Sequence, residues 1–395
     1  MAKQYLPEAV AELCTKAKIE LVTYVPGFGA NEVFAAINER YQQESQRVFP
    51  ISFHEEVAFT IAHGAALLGS RSCCVIKTHG FEKAANSIIH SLYSGTNAAL
   101  VTFLFEDTEG SHSDNILEIE PIVKGAKVPY LRSSAKTIAK DFCFAITESE
   151  RLKLPFIIII NADQVALESS LEGLKDLPPN PNEYKRDIYD HVVCPFTAEF
   201  QWKVLQAKLG DKNWKELEKP NKSLNPQALS VVQRGWVEKY ETFFKVFQKH
   251  RGDLVTGDAS TASSFALPPF NCIDIVTYFG GSLPLAIGAN LVKKDNETIW
   301  AVSGDFAFLA AGHLGLIEAL QRNIPLKLII FSNQQAGATG GQRIPKNVLK
   351  TILAGYKDYI KELNDLQNES AIGEALLEAQ NSQEIRILLL NYGDS

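Results

Sequence analysis

The chain has 395 residues, of which 46% are hydrophobic and 22% are charged, and its formal net charge is −7 at pH 7. This length allows two or three domains, and the net acidity argues against a surface that binds nucleic acid or an anionic membrane. The six cysteines include no C-x-x-C pair, so we expect no zinc ribbon or iron–sulfur cluster within this chain. No segment resembles a signal peptide or a membrane span, and we therefore expect a cytoplasmic protein.

Helix-like and strand-like segments alternate over the first part of the chain. Apolar strand patterns occur at Ile19–Val25, Val48–Ser52, Ser72–Lys77, Ala98–Phe105 and Leu154–Asn161. Helical patterns occur at Ala9–Lys18, Asn31–Gln43, Glu55–Leu68 and Ala84–Ser94. This alternation predicts a mostly parallel sheet with helices on both faces, because parallel strands need a crossover connection between them.

A second α/β block follows polar, proline-containing stretches at Asp176–Asp187 and Lys212–Pro226. Its helical patterns occur at Pro226–His250, Ser282–Val292 and Gly312–Arg322. Its strand patterns occur at Leu254–Gly257, Thr298–Ser303, Leu326–Phe331 and Ile385–Asn391. We therefore predict an α/β protein with two doubly wound parallel-sheet domains, residues 1–168 and 226–395, joined by a long linker at 169–225.

Polar side chains follow two strands of the second block. Asp305 comes directly after Gly304 at the end of one strand, and Asn333 follows the next strand. Because the carboxyl ends of parallel strands meet at one edge of a sheet, we expect these side chains to lie close together. A carboxylate, an amide oxygen and a backbone carbonyl, for which Gln335 is the candidate, suit Mg²⁺ that also binds phosphate. The alternative is a strand-end cap and a turn residue.

The segment Gly304-Asp305 … Ser332-Asn333 resembles the Gly-Asp-Gly … Asn-Asn motif of thiamine-diphosphate-dependent enzymes. Phe306 replaces the third glycine of that motif, and Ser332 replaces the first asparagine. The following loop, Ala338–Gln342, is similar to loops in phosphonopyruvate and sulfopyruvate decarboxylases and in 2-oxoacid:ferredoxin oxidoreductases. The resemblance implies that residues 226–395 bind the diphosphate and residues 1–168 the pyrimidine. It makes Gly304, Asp305, Phe306, Asn333 and Gln335 cofactor contacts, with Asp305, Asn333 and Gln335 on the metal.

A glutamate beside the aminopyrimidine ring is the second requirement of these enzymes. His54-Glu55-Glu56-Val57-Ala58 is similar to their Asn-Glu-x-x-Ala element, with Glu55 at the glutamate and His54 in place of asparagine. The resemblance implies that Glu55 bonds the ring nitrogen N1′ and promotes formation of the C2 ylid. Glu56 is the rival, although a carboxylate in a first helical turn is also favoured by the helix dipole alone.

Further segments extend the resemblance. Tyr24–Gly27, Lys77–Asn86 and Glu106–Asn115 follow the order seen in the α chain of indolepyruvate ferredoxin oxidoreductase. Gly280–Gly288 is similar to the segment before the metal motif, which implies cofactor contacts from Gly281, Ser282 and Leu283. Leu283 would be the apolar prop under the cofactor, or else an ordinary core leucine. Asp258 and Ser260 are neighbours of the aminopyrimidine by position, or else turn residues.

Two histidines are candidates for chemistry. His112 lies in a polar loop after a strand and would orient a substrate carboxylate or move a proton. His79 follows the strand Ser72–Lys77 and would face the thiazolium ring. A loop histidine without a role is the alternative for each.

The resemblance implies thiamine diphosphate- and Mg²⁺-dependent decarboxylation of a small 2-oxoacid, through the C2 ylid and an enamine that is protonated or joined to an acceptor. One alternative is the catalytic chain of a 2-oxoacid oxidoreductase whose iron–sulfur clusters belong to a redox partner subunit. Another is a cofactor-binding scaffold without catalysis. The resemblance also implies a homodimer or homotetramer in which Glu55 and Asp305 of each site come from different chains.

Overall fold

The protein is described here from a computed structural model, which covers residues 4–174, 177–180, 182–221, 223, 225 and 228–393, apart from the side chain of Lys346. By its internal contacts the chain divides into two compact units, Met1–Tyr184 and Lys185–Ser395. The predicted linker at 169–225 is therefore divided between the two units after Tyr184. Its later part contains helices of the second unit. Linker residues 175, 176, 181, 222 and 224 lie outside the described part of the chain, as do the outer ends of both predicted domains.

The first unit contains a parallel five-stranded sheet in the order β1-β2-β3-β5-β4. Its strands are β1 (Leu21–Tyr24), β2 (Ser72–Lys77), β3 (Leu100–Glu106), β4 (Tyr130–Ser133) and β5 (Phe156–Asn161). Its helices are α1 (Leu6–Lys16), α2 (Ala30–Ser45), α3 (Glu55–Leu67), α4 (Thr78–Ser94), α5 (Ile119–Gly125) and α6 (Ile138–Leu152). The central strands β2, β3 and β5 are almost wholly buried, as strands covered by helices on both faces should be.

The predicted strand Val48–Ser52 is wrong, since these residues form no strand. Pro50 has no backbone N–H to give to a neighbouring strand. Val48 and Ile51 are exposed rather than packed. The backbone N–H of Ser52 donates to the carbonyl of Tyr24 at 2.7 Å and ties this segment to β1. The segment is an extended connection that leads into α3.

The second unit contains a six-stranded parallel sheet in the order β10-β11-β9-β8-β6-β7. Its strands are β6 (Leu254–Asp258), β7 (Ile275–Thr277), β8 (Ile299–Gly304), β9 (Lys327–Ser332), β10 (Ile360–Leu363) and β11 (Arg386–Asn391). Its helices are α7 (Ile188–His191), α8 (Ala198–Leu209), α9 (Val231–Phe247), α10 (Ser282–Val292), α11 (Asp305–Ala307), α12 (His313–Gln321), α13 (Lys346–Leu353) and α14 (Glu369–Asn381). The predicted fold class, two parallel-sheet α/β domains, is confirmed.

The strand order reverses between β6 and β8. From β6 the chain crosses to β7 on one side, whereas β8 and β9 follow on the other. A crevice opens outside the carboxyl ends of the strands at such a reversal, and ligands of open α/β sheets bind there. The fold therefore directs the loops after β6, β8 and β9 to one place.

Helix α9 anchors this unit through an aromatic face. Trp236, Tyr240, Phe243 and Phe247 recur at helical spacing and are buried against the sheet, in which Phe331 contacts Tyr240 and Phe243. Burial of one such ring contributes about 1.5–3 kcal/mol. The helix predicted at Pro226–His250 is shorter at both ends in the structure, and its first two residues, 226 and 227, lie outside the described range.

Asp258 lies at the end of β6 and is fully buried. Its carboxylate accepts hydrogen bonds from the backbone N–H of Ser282 at 2.8 Å, where α10 begins, and from the Ser303 hydroxyl. Burial raises the pKa of Asp258 to about 6 even though these donors favour the charged form. Asp258 therefore fastens α10 to the sheet at a desolvation cost.

The raised pKa of Asp258 predicts a pH-dependent stability. The folded state binds this proton more tightly than the unfolded state, so the group's contribution to stability falls as pH rises from about 4 to about 6. Asp258→Asn removes the titration and keeps the shape. We expect wild type to lose about 1 kcal/mol relative to Asp258→Asn between about pH 5 and pH 7, measured by urea unfolding. Parallel pH profiles for the two proteins would contradict this assignment.

Candidate functional site

A cavity of about 170 Å³ lies at the strand reversal of the second unit. We call it the Asp305 cavity. It is lined by residues that follow β6, β8 and β9, together with Tyr240 from α9 and Phe279 from the segment before α10. The lining contains the predicted residues Gly304, Asp305, Phe306, Asn333 and Gln335. The structure thus brings together the residues predicted for the metal and the diphosphate.

Among the described residues that line the cavity, Asp305 is the single carboxylate, and it is 3% exposed. Its Oδ1 accepts from the backbone N–H of Phe306 at 2.8 Å, and its Oδ2 accepts from the backbone N–H of Gln334 at 2.6 Å. Burial raises the pKa of Asp305 to about 6, against the opposing effect of these bonds. The group is therefore mostly ionised at neutral pH.

The Asn333 carboxamide is held on both sides. Its Oδ1 accepts from the backbone N–H of Gln335 at 3.0 Å, and its Nδ2 donates to the hydroxyl of Tyr240 at 2.7 Å. Gln334, between them, adopts a left-handed φ of 56°, which closes the tight turn. A Cβ added at Gly337 would lie 2.9 Å from Asn333 Nδ2, so only glycine lets this loop approach the amide.

The donor set of the cavity suits a hard cation. Among the described residues, no cluster of three or more His, Cys, Asp or Glu side chains could hold a metal ion. A cation here would therefore rely on Asp305, on neutral oxygens such as those of Asn333 and the Gln335 backbone, and on ligand phosphate. That combination is typical of Mg²⁺. Softer metals would prefer the histidine and cysteine ligands that this cavity lacks in its lining.

Two hydroxyls also line the cavity: that of Ser260, which the sequence suggested as a neighbour of the aminopyrimidine, and that of Thr261, which was not predicted. Ser260 Oγ and Thr261 Oγ1 are buried beside the cavity and have no hydrogen-bond partner in the described structure. Buried polar atoms without partners are costly, and a bound anion would satisfy them. Their sequence signal is a small, polar run, Gly257–Thr261, directly after a buried strand. That signal is weak without knowledge of the strand order.

Gly304 and Phe306 flank Asp305 in different ways. A Cβ added at Gly304 would meet no atom within 4 Å, so the space beside it is open. Phe306, which stands where the resembled motif has glycine, is 44% exposed. Its ring lies 5.3 Å from that of Phe279, centre to centre, and both rings line the cavity. Phenylalanine in place of the motif's glycine thus adds an aromatic ring to the cavity lining and leaves the Asp305 carboxylate in place.

Four other predicted residues lie outside the cavity lining. Leu283 is fully buried in α10 and packs on Gly315 of α12, where an added Cβ would come within 2.9 Å of it. Asp258 and Ser282 form the bond that begins α10, and Gly281 precedes that helix. Contacts of these four residues with a cofactor stay predictions.

In the first unit, Glu55 is the first residue of α3, and its side chain is 13% exposed. A Cβ added at Gly80 would lie 2.6 Å from Glu55 Cγ, so this glycine gives the carboxylate its space. Glu55 Oε2 is buried and makes no hydrogen bond, although Lys83 Nζ lies 3.5 Å away as an ion-pair partner. One oxygen of Glu55 is therefore available to a ligand's hydrogen-bond donor.

Glu56 differs from Glu55 in its partner. Its Oε1 accepts from Asn86 Nδ2 at 2.8 Å, and burial raises the pKa of its carboxyl group. The Asn86 amide thus occupies Glu56, which favours Glu55 as the glutamate that faces a ligand.

The two candidate histidines have different surroundings. His79 Nε2 and Asn115 Oδ1 form a 2.7 Å hydrogen bond, while His79 Nδ1 is buried without a partner. His112 is exposed, and its ring stacks on Phe28 at 3.7 Å between centres. Asp107 holds the loop of His112 by accepting from its backbone N–H at 2.8 Å. The catalytic roles of both histidines stay predictions.

Comparison with known proteins agrees with this geometry. Residues 256–367, which contain Asp258, Asp305 and Asn333, match the family model for the thiamine pyrophosphate enzyme C-terminal TPP-binding domain. The second unit therefore carries a match to a thiamine diphosphate-binding domain, and the resemblance to thiamine-diphosphate-dependent enzymes is confirmed.

Individual relatives refine this result. The chain is 28% identical over 237 residues to the indolepyruvate oxidoreductase subunit IorA of Archaeoglobus fulgidus, over 58% of this chain and 36% of that protein. The chain thus spans about a third of this relative's length. Benzoylformate decarboxylase from Polynucleobacter necessarius shares the fold with a TM-score of 0.67 at 12% identity, over 98% of both chains. The 4-hydroxybenzoylformate decarboxylase of Rhodococcus jostii does so with a TM-score of 0.65 at 13% identity, over 99% of both chains.

None of the helices in the described ranges combines the length and the apolar character that a bilayer crossing requires.

Proposed function

We propose that the protein is a thiamine diphosphate- and Mg²⁺-dependent 2-oxoacid decarboxylase, a lyase whose product is released or joined to an acceptor. The observation that carries this proposal is the Asp305 cavity. It combines one buried carboxylate, one fixed carboxamide and two hydroxyls without partners, at the strand reversal of a domain that matches a TPP-binding family. This is the donor set that a Mg²⁺-diphosphate needs.

The second unit would bind the metal ion and the diphosphate. Asp305, Asn333 and the backbone carbonyl of Gln335 would hold Mg²⁺, and the hydroxyls of Ser260 and Thr261 would donate to diphosphate oxygens. Bound thiamine diphosphate supplies the carbon nucleophile and the electron sink for cleavage next to a carbonyl group.

The first unit would supply the proton chemistry. Glu55 would accept a hydrogen bond from the aminopyrimidine ring, through the oxygen that makes no hydrogen bond within the chain. His79 would exchange a proton through its buried Nδ1, and His112 would orient the carboxylate of the 2-oxoacid.

A second candidate function is the catalytic chain of a 2-oxoacid oxidoreductase. The 28% identity to an indolepyruvate oxidoreductase subunit favours it. Without a C-x-x-C pair in the sequence, the iron–sulfur clusters of such an enzyme would belong to a redox partner subunit.

The two functions differ in their need for an electron acceptor. The full chain would be incubated with thiamine diphosphate, Mg²⁺ and a panel of 2-oxoacids, with and without a viologen dye, while CO₂ and aldehyde are measured. CO₂ and aldehyde release without the dye supports the decarboxylase. Strict dependence on the dye would overturn it in favour of the oxidoreductase. Tight cofactor binding with no turnover under either condition would instead support a scaffold.

The proposal includes an assembly. Glu55 and Asp305 belong to separately described units, and we propose that each active site takes them from different chains of a homodimer or homotetramer. The proposal places this enzyme in the cytoplasm.

A further inference from the structure

Tyr240 brings a hydroxyl from helix α9 to the side chain of Asn333. Tyr240 is 2% exposed, and its oxygen accepts the hydrogen bond from Asn333 Nδ2 at 2.7 Å. Its ring is fixed by neighbouring aromatic rings, those of Phe331 at 4.5 Å and Tyr392 at 4.7 Å between centres. The hydroxyl is therefore held at a defined point beside the Asp305 cavity.

The orientation of the Asn333 amide follows from its two partners. The backbone N–H of Gln335 is an obligate donor, so the atom that it faces at 3.0 Å must be the oxygen of the carboxamide. The nitrogen then needs an acceptor on its other side, and the Tyr240 oxygen is that acceptor. Without it, a buried amide N–H would lose its partner, and the side chain would be free to rotate.

The Tyr240 hydroxyl keeps its proton under ordinary conditions. Burial, reinforced by the negative charge of Asp305, raises the pKa of Tyr240 well above its usual value. A neutral phenol can accept from Asn333 and still donate, whereas a phenolate beside Asp305 would add a second negative charge. Tyr240 thus acts on the loop by hydrogen bonding and shape.

We propose that Tyr240 is a positioning residue of the metal site, which holds the Asn333 carboxamide in the one orientation that leaves its oxygen for a divalent cation. The inference rests on the proposed Mg²⁺-diphosphate function of the Asp305 cavity. It assigns a role to α9, which lies outside the residues matched by the TPP-binding family. Partners of metal ligands fix ligand orientation, and their loss weakens metal affinity.

The test measures Mn²⁺ affinity by electron paramagnetic resonance, with the full chain and excess thiamine diphosphate. Tyr240→Phe keeps the ring and removes the hydroxyl, and we expect Mn²⁺ to bind about 10- to 100-fold more weakly. The matched control is Tyr392→Phe, which removes a phenol hydroxyl from the same aromatic cluster but not from the cavity lining. We expect its Mn²⁺ affinity to equal that of wild type.

A double-mutant cycle separates positioning from general destabilisation. In an Asn333→Ala background, Tyr240→Phe should cause no further loss of Mn²⁺ affinity, because its effect passes through the amide. Additive losses, or wild-type affinity in Tyr240→Phe alone, would overturn the inference while leaving the proposed function intact. Failure of wild type to bind Mn²⁺ would overturn both.

A second variant covers the case in which Tyr240→Phe does not fold. Gly337→Ala would push on Asn333 Nδ2 from the loop, where an added Cβ would lie 2.9 Å away. We expect a similar loss of Mn²⁺ affinity, and unchanged affinity would count against the role of the amide orientation.

Discussion

Replacement of Asp305 by alanine is expected to lower the affinity for Mg²⁺ and thiamine diphosphate together by more than about 100-fold. Loss of a residue that only supports a metal ligand weakens metal affinity by up to about 100-fold. Loss of a ligand itself should weaken it more. Asp305 is the only carboxylate among the described residues that line the cavity, so nothing else there offsets the charge of the cation. Isothermal titration of the full chain with thiamine diphosphate, at fixed Mg²⁺, measures the change.

Two further variants serve as comparisons for Asp305→Ala. Asp305→Asn keeps the size of the side chain and removes its charge, so it should lose affinity, and it should also lose some thermal stability because its NH2 group would face a backbone N–H donor. Asp295→Ala removes an exposed acid of the same unit outside the cavity and should bind normally. Cofactor affinity in Asp305→Ala that equals wild type would show that the metal is held elsewhere.

Glu55→Gln should lower turnover of the 2-oxoacid by about 10²- to 10⁴-fold, which is the usual contribution of a positioned acid–base group. The amide has the shape of the carboxylate, so folding and packing against Gly80 should persist. The substitution removes the negative charge of the hydrogen-bond acceptor at the start of α3. The rate of 2-oxoacid consumption, measured at saturating cofactor, reports the effect, with a dye supplied if the reaction proves oxidative.

Glu56→Gln is the matched control for this prediction. Glu56 is the adjacent residue on the same helix, but its side chain is occupied by Asn86. Its replacement should leave turnover within about one order of magnitude of wild type, as expected for a residue whose side chain does not take part in proton transfer. A larger loss in Glu56→Gln than in Glu55→Gln would reverse the assignment of the two glutamates.

The sequence was sufficient to predict which residues meet at the carboxyl ends of neighbouring strands. Asp305 and Asn333 come directly after buried apolar strands, and parallel strands deliver such residues to one edge, so their meeting was predictable. The strand β2 and the helix α10 have the predicted bounds, because each is a dense apolar run with sharp ends. The alternation of elements likewise predicted both sheets.

Features that depend on tertiary packing were not predictable. Tyr240 lies on a helix far in sequence from the loop that follows β9, and only the packing of α9 brings its hydroxyl to Asn333. Thr261 joins the cavity lining because the strand order reverses beside it, which a single sequence does not reveal. Short, partly exposed strands such as β4 and β10 were missed for a similar reason. Their apolar patterns are weak, and only their pairing with neighbouring strands identifies them as strands.

Main-chain N–H groups donate the hydrogen bonds that hold the Asp305 and Asn333 side chains from the segments that follow β8 and β9. Phe306 and Gln334 give theirs to Asp305, and Gln335 gives its own to Asn333. Every amino acid except proline offers this donor, whatever its side chain. Positions beside the ligands are therefore free to diverge as long as the backbone keeps its path. This mutational tolerance explains how phenylalanine at 306 and serine at 332 can stand in a motif that usually has glycine and asparagine.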